Sequence, residues 1–118
     1  MSSQFTVNVQ NKTGATITSV CVAHYCNDNT NAGTFPSIAN GQSQSIGTVT
    51  TYALHKDYYG GMFVRGGDFY QFNCYCSSES GDTSVSLILG PDSYTVQYYA
   101  GGTASDSCSD KSYDYSTS

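Results

Sequence analysis

A chain of 118 residues is sized for a single domain. Only 11% of its residues are charged and the net charge is −5, with Lys and Arg numbering 4 in all, so it lacks the cations that displace counterions from nucleic acid or draw a protein to anionic lipid. No apolar run reaches the roughly eighteen residues of a transmembrane helix, and a surface of Ser, Thr, Asn, Gln and eleven tyrosines suits strands better than helices.

The opening MSSQFTVNV has neither a charged n-region nor an apolar h-region, so no classical signal peptide is read there. A cytoplasmic or non-classically secreted protein is expected. Phe5, Val7 and Val9 alternate with Thr6, Asn8 and Gln10, the period of a half-buried strand. Asn11-Lys12-Thr13-Gly14 is turn chemistry and also a glycosylation sequon, which matters only in a secreted chain. A second strand over residues 16–25 is expected to complete a hairpin with the first. Residues 26–41, rich in Asn, Thr and Gly and holding Pro36, read as a long connection pinned by Phe35 and Ile38. The cluster Asn27-Asp28-Asn29-Thr30-Asn31 offers oxygens to a hard cation, but Asx turns are the preferred reading.

A weaker strand follows Gly41 through Gln44, Ile46 and Val49. Residues 51–76 form a glycine-punctuated centre, with strands expected at 52–56, 61–65 and 68–76 and turn-forming glycines at Gly60-Gly61 and Gly66-Gly67. Val85, Leu87 and Leu89 mark another strand, closed by Gly90-Pro91-Asp92, and Tyr94, Val96 and Tyr98 mark the last. About eight short strands at this spacing imply an all-β fold, an antiparallel β-sandwich. Residues 1–102 are assigned to that domain and 103–118 to a polar C-terminal tail, expected to bury little apolar area and to be partly disordered, with Cys108 and Tyr113 as the residues that could tie it down.

Catalytic chemistry has little to work with. The chain holds His24, His55 and Glu79 but no nucleophile elbow, and no enzyme activity is expected. Cys21-x4-Cys26 with Cys74-x-Cys76, either histidine substituting, outlines a zinc set. Cys74 and Cys76 share one strand face and do not suit a bond to each other. Unbridged core thiols, or one disulfide tying Cys108 to the sheet, are preferred to zinc. No metal or cofactor is expected, and the pairing of the five cysteines stays open.

The tyrosines carry more. Tyr58-Tyr59-Gly60-Gly61 and Tyr98-Tyr99-Ala100-Gly101-Gly102 each put adjacent aromatics beside a flexible turn, and adjacent strand residues face opposite sides. An outward tyrosine offers an apolar face and a hydroxyl, suited to sugar rings, choline headgroups or a bilayer interface. The alternative is cross-strand aromatic pairing that only stabilises the sheet. Asp57, Tyr58, Tyr59, Tyr98 and Tyr99 are the candidate ligand-binding residues, with Asp57 orienting polar groups.

Several of these stretches resemble the aegerolysin-like small β-sandwich proteins, including the longevity-induced branch of nematodes and the incompatibility-induced branch of fungi. They are the opening Phe5-Thr6-Val7-Asn8-Val9-Gln10-Asn11 with Ile17-Thr18-Ser19-Val20, then Asp57-Tyr58-Tyr59 leading into Met62-Phe63-Val64, and Tyr70-Gln71-Phe72-Asn73-Cys74 before Val85-Ser86-Leu87-Ile88. The resemblance spans residues 4–99 as a pattern of strands and implies a non-catalytic module that binds a membrane lipid headgroup, in defence or stress. Aegerolysins recognise membrane sphingolipids and recruit a larger pore-forming partner; this chain has no tryptophan where they use several. A shorter likeness, Tyr94-x4-Tyr99-x-Gly101 with Asp82-Thr83-Ser84-Val85-Ser86, resembles a degenerate βγ-crystallin calcium motif. Two other readings are a lectin-like carbohydrate module and a self-assembling structural protein. The expected partners are therefore a membrane lipid or glycan, a protein or a second copy, and no nucleic acid.

Overall fold

The computed structural model describes residues 2–27, 29–52, 56–79 and 81–116; His55, considered above for catalysis and zinc, Asp28, considered as a cation ligand, and the middle of the strand expected over 52–56 lie outside them. Within the described residues the chain is all-β. It runs β1 (Ser2–Asn11), β2 (Ile17–Cys26), β3 (Asn29–Ile38), β4 (Ser43–Tyr52), β5 (Asp57–Arg65), β6 (Asp68–Cys76), β7 (Ser84–Leu89), β8 (Ser93–Ala100), β9 (Thr103–Ser112) and the two-residue β10 (Tyr115–Ser116). These form two packed five-stranded sheets, ordered β4-β1-β7-β8-β9 (sheet A) and β10-β6-β5-β2-β3 (sheet B). Every pairing is antiparallel except β1 with β7, which run parallel with Val7 opposite Val85.

Strict alternation explains why the sheets face each other. In β7 and β8 each second residue is buried, so Val85, Leu87, Leu89, Tyr94, Val96 and Tyr98 point inward. They meet Val20, Val22, Tyr59, Phe63, Tyr70 and Phe72 from sheet B, the interdigitated core of a two-sheet sandwich. The β5–β6 hairpin is set by Gly66 and Gly67. Arg65 pairs with Asp68 across them, and both have positive φ, +59° and +84°, which the tight type I′ connection requires.

β1 and β2 do not form the expected hairpin; the chain crosses from sheet A to sheet B between them. Asn11 makes that corner. It continues the inward phase of Phe5, Val7 and Val9, is fully buried, and spends every polar atom on the turn. Its Oδ1 accepts from the Thr13 amide at 2.9 Å and hydroxyl at 2.8 Å, while Nδ2 donates to the carbonyls of Ala15 at 2.9 Å and Ile38 at 2.8 Å. The sequon asparagine is thus a structural residue, and both its amide hydrogens are committed.

Residues 29–38, read as connection, are a ten-residue edge strand. Pro36 is tolerated because an edge strand hydrogen-bonds on one side only. Gly60 and Gly61 do not turn the chain but lie inside β5. Beyond Gly102, the polar segment supplies β9, paired to β8, and a Cys76–Cys108 disulfide ties it to sheet B. With the paired cysteines 32 residues apart, loop-closure entropy gives such a link about 3–4 kcal/mol of stabilisation. Tyr113 follows as a plug, its ring 5.3–5.6 Å from those of Phe63, Tyr70 and Tyr94 and its hydroxyl donating to the Gly90 carbonyl at 2.8 Å.

Candidate functional site

The five candidate ligand-binding residues divide between three places. Asp57, Tyr59 and Tyr98 are fully buried between the sheets. Tyr58 is exposed on the outer face of sheet B, and Tyr99 is half-buried on the outer face of sheet A, at the opposite side of the sandwich. No single surface joins them.

The buried three belong to a polar cluster that pins the sheets together. Asp57 Oδ1 accepts from His24 Nε2 at 2.9 Å and from the Thr51 hydroxyl at 2.6 Å, and Oδ2 accepts from the Tyr98 hydroxyl at 3.0 Å. With Tyr98 donating to the carboxylate, Tyr59 is the donor in their 2.9 Å contact. Thr51 and Tyr98 come from sheet A, and His24, Asp57 and Tyr59 from sheet B. Burial pushes the Asp57 carboxyl up, but the hydrogen bonds from His24, Thr51 and Tyr98, with the His24 charge, hold it below the ordinary value of 3.8. Burial first, then the neighbouring carboxylate, raise Tyr59 strongly. Burial, then Tyr59 and Asp57, raise Tyr98 likewise. Both phenols therefore stay protonated as donors. His24 Nδ1 is buried without a hydrogen-bond partner among the described residues, a cost of about 1–3 kcal/mol that the cluster absorbs. A pair with no exposed surface cannot touch a substrate; this cluster holds the fold.

The outer face of sheet B is different in kind. The exposed large apolar side chains among the described residues, Tyr25, Tyr58, Met62 and Tyr75, all lie on it, at 37–52% exposure. Register arranges the face in three rows running across the strands. Tyr25, Tyr58 and Tyr75 align in one, with ring centroids 6.0 Å apart at both steps. The Lys56 ammonium caps its end, 4.0 Å over the Tyr75 ring. The next row is Ala32, Ala23, Gly60 and Asn73, and the third Thr34, Cys21, Met62 and Gln71. Large side chains on either side of a nearly bare row leave a trough of about 430 Å³.

The two glycines of β5 serve this face in different ways. A Cβ on Gly60 would stand 3.6 Å from the Phe72 carbonyl oxygen, ordinary contact, so its absence only keeps the floor low. A Cβ on Gly61 would lie 2.3 Å from the Cys21 carbonyl oxygen and 2.7 Å from the Phe72 ring. Only glycine lets β2 and β5 approach there.

Tyr25, Tyr75, Lys56 and Asn73 were not among the residues singled out from the sequence. The signal for them was the phase of alternation: once Tyr59 points inward, Tyr58 points outward, and register brings Tyr25 and Tyr75 beside it. The cysteines spread out. Cys21 faces the trough, Cys26 is buried, Cys74 is half-buried, and Cys76 is bonded to Cys108. Among the described residues no three His, Cys, Asp or Glu side chains converge on a metal position. Asp82 of the crystallin-like stretch accepts from the Glu79 amide at 2.9 Å and the Ser105 hydroxyl at 2.7 Å, tying its loop to β9.

No protein-family model matches this chain, and comparison with the curated proteins finds no match.

Proposed function

We propose that the protein is a non-catalytic binding module that recognises a membrane lipid headgroup through the outer face of sheet B. The observation that carries this reading is the gathering of Tyr25, Tyr58, Met62 and Tyr75 on one face. Tyrosine has an apolar body and a polar tip, the combination that settles at headgroup depth. The neutral to acidic surface argues for contact by these side chains and not by attraction to anionic lipid. Burial of His24 and Asp57 supports a non-catalytic role. The resemblance to aegerolysin-like sandwiches points to the same class of ligand and is part of the proposal. Sedimentation with vesicles of phosphatidylcholine, sphingomyelin, ceramide phosphoethanolamine and glucosylceramide tests it. Retention on at least one composition, lost in Tyr58→Ala, is expected; no retention on any of them ends the proposal.

A further inference from the structure

The chemistry of the trough narrows the ligand. Its floor and walls hold no Lys, Arg, Asp or Glu. A phosphate or carboxylate bound there would lack a cation. Lys56 is already seated on Tyr75 beyond the wall, and the Arg65 guanidinium is held by the carbonyls of Thr13 and Pro91 and the Tyr70 hydroxyl. An ammonium group would find the ring faces of Tyr25 and Tyr58 but no carboxylate to balance its charge, since Asp57 is sealed beneath the sheet. It would also leave the amide N–H groups of Gln71 and Asn73 without an acceptor. A bare acyl chain would cover the amides of Gln71 and Asn73 and the Thr34 hydroxyl, at one end and along the far rim, without pairing them. One common ligand shape satisfies all three constraints: an uncharged ring with an apolar face and a hydroxylated edge.

We infer that the trough binds a neutral hexopyranose ring, stacked by its C–H face on Tyr25 and Tyr58, with its hydroxyls turned to Asn73 and Gln71. The ring is the headgroup of a glycolipid, because the walls continue into the exposed Tyr75 and Met62 at the rim, where a bilayer surface would meet them. This rests on the lipid-binding reading above and names its ligand. The volume of about 430 Å³ falls within the range of small-ligand clefts. Nothing larger than a methyl group stands on the floor at Ala23, Ala32 and Gly60.

The test uses the full chain with methyl β-glucopyranoside, cellotetraose and phosphocholine as soluble probes, followed by amide chemical-shift titration to about 10 mM, where a Kd near 1 mM is readily measured. Phosphatidylcholine vesicles with and without glucosylceramide form the second arm. Two variants accompany it: Tyr58→Ala removes a wall, and Gly60→Val fills the floor at a position with room for a Cβ. The expected result is shifts confined to the trough with either sugar, none with phosphocholine, and vesicle retention only with glucosylceramide. Each variant should weaken sugar binding at least about tenfold while its unfolding midpoint in urea stays near that of the parent. Silence with both sugars, or sugar binding untouched by both variants, overturns the inference. Retention on vesicles without sugar binding overturns it while leaving the lipid-binding face in place, and sugar binding with no gain on glucosylceramide overturns the lipid source.

Discussion

Tyr58 and Tyr59 are neighbours in sequence and opposites in the molecule. Tyr59 is sealed in the interior, donating its hydroxyl into the cluster around Asp57, whereas Tyr58 stands 42% exposed in a row with Tyr25 and Tyr75. The same side chain holds the sheets together on one face of β5 and is free to meet a ligand on the other. Exposure and hydrogen-bond commitment, not residue type, separate the two roles. The interior cluster should govern stability and leave the outer face's chemistry alone, and the outer face the reverse.

The hardest way to break that division is to remove the centre of the cluster. Asp57→Ala takes away the carboxylate that His24, Thr51 and Tyr98 share, leaving the Tyr98 hydroxyl only the Cys76 carbonyl and the Thr51 hydroxyl only the Cys26 sulfur. It should cost about 3–5 kcal/mol, read as a fall in the urea unfolding midpoint. The same carboxylate sets a pH response. Because its folded pKa lies below the ordinary 3.8, its contribution is whole above that value and is lost as pH falls through the lower folded one. Unfolding midpoints should drop in that acid range for the parent, and Asp57→Asn should flatten that part of the profile.

Gly60 and Gly61 sharpen the comparison at the level of the backbone. Gly61→Ala forces a methyl group against the Cys21 carbonyl oxygen and should destabilise by about 1–3 kcal/mol or more. Gly60→Ala meets only ordinary contacts at a φ that suits any residue, and should be neutral or stabilising by up to about 1 kcal/mol. Tyr98→Phe removes the hydroxyl that donates to Asp57 and the Cys76 carbonyl and accepts from Tyr59, and should cost about 1.5–3 kcal/mol without changing the outer face.

Much of this fold was legible in the sequence. Alternation at Phe5–Val9, Val85–Leu89 and Tyr94–Tyr98 located strands and their buried phase, and Gly66-Gly67 marked a real two-residue turn. What alternation cannot supply is the partner of each strand. Asn11-Lys12-Thr13-Gly14 reads as a hairpin loop until Asn11 is seen to share the inward phase of Val9. The edge strands β3 and β9 were hidden because their side chains are mostly polar and solvated, so neither carries the apolar period. For the candidate site, a pair such as Tyr58-Tyr59 shows that one ring is outside but not which. That choice is made by Asp57, whose inward position is set by partners 33 and 41 residues away in the chain.

The most direct measurement pairs Tyr58→Ala with Tyr98→Phe, each assayed for urea stability and for retention on the vesicle panel. The account predicts that Tyr58→Ala unfolds within about 1 kcal/mol of the parent, as an exposed substitution should, and loses retention. Tyr98→Phe is predicted to be clearly less stable and, while folded, to bind as the parent does. Full retention by a folded Tyr58→Ala protein would contradict the division between the two faces of β5.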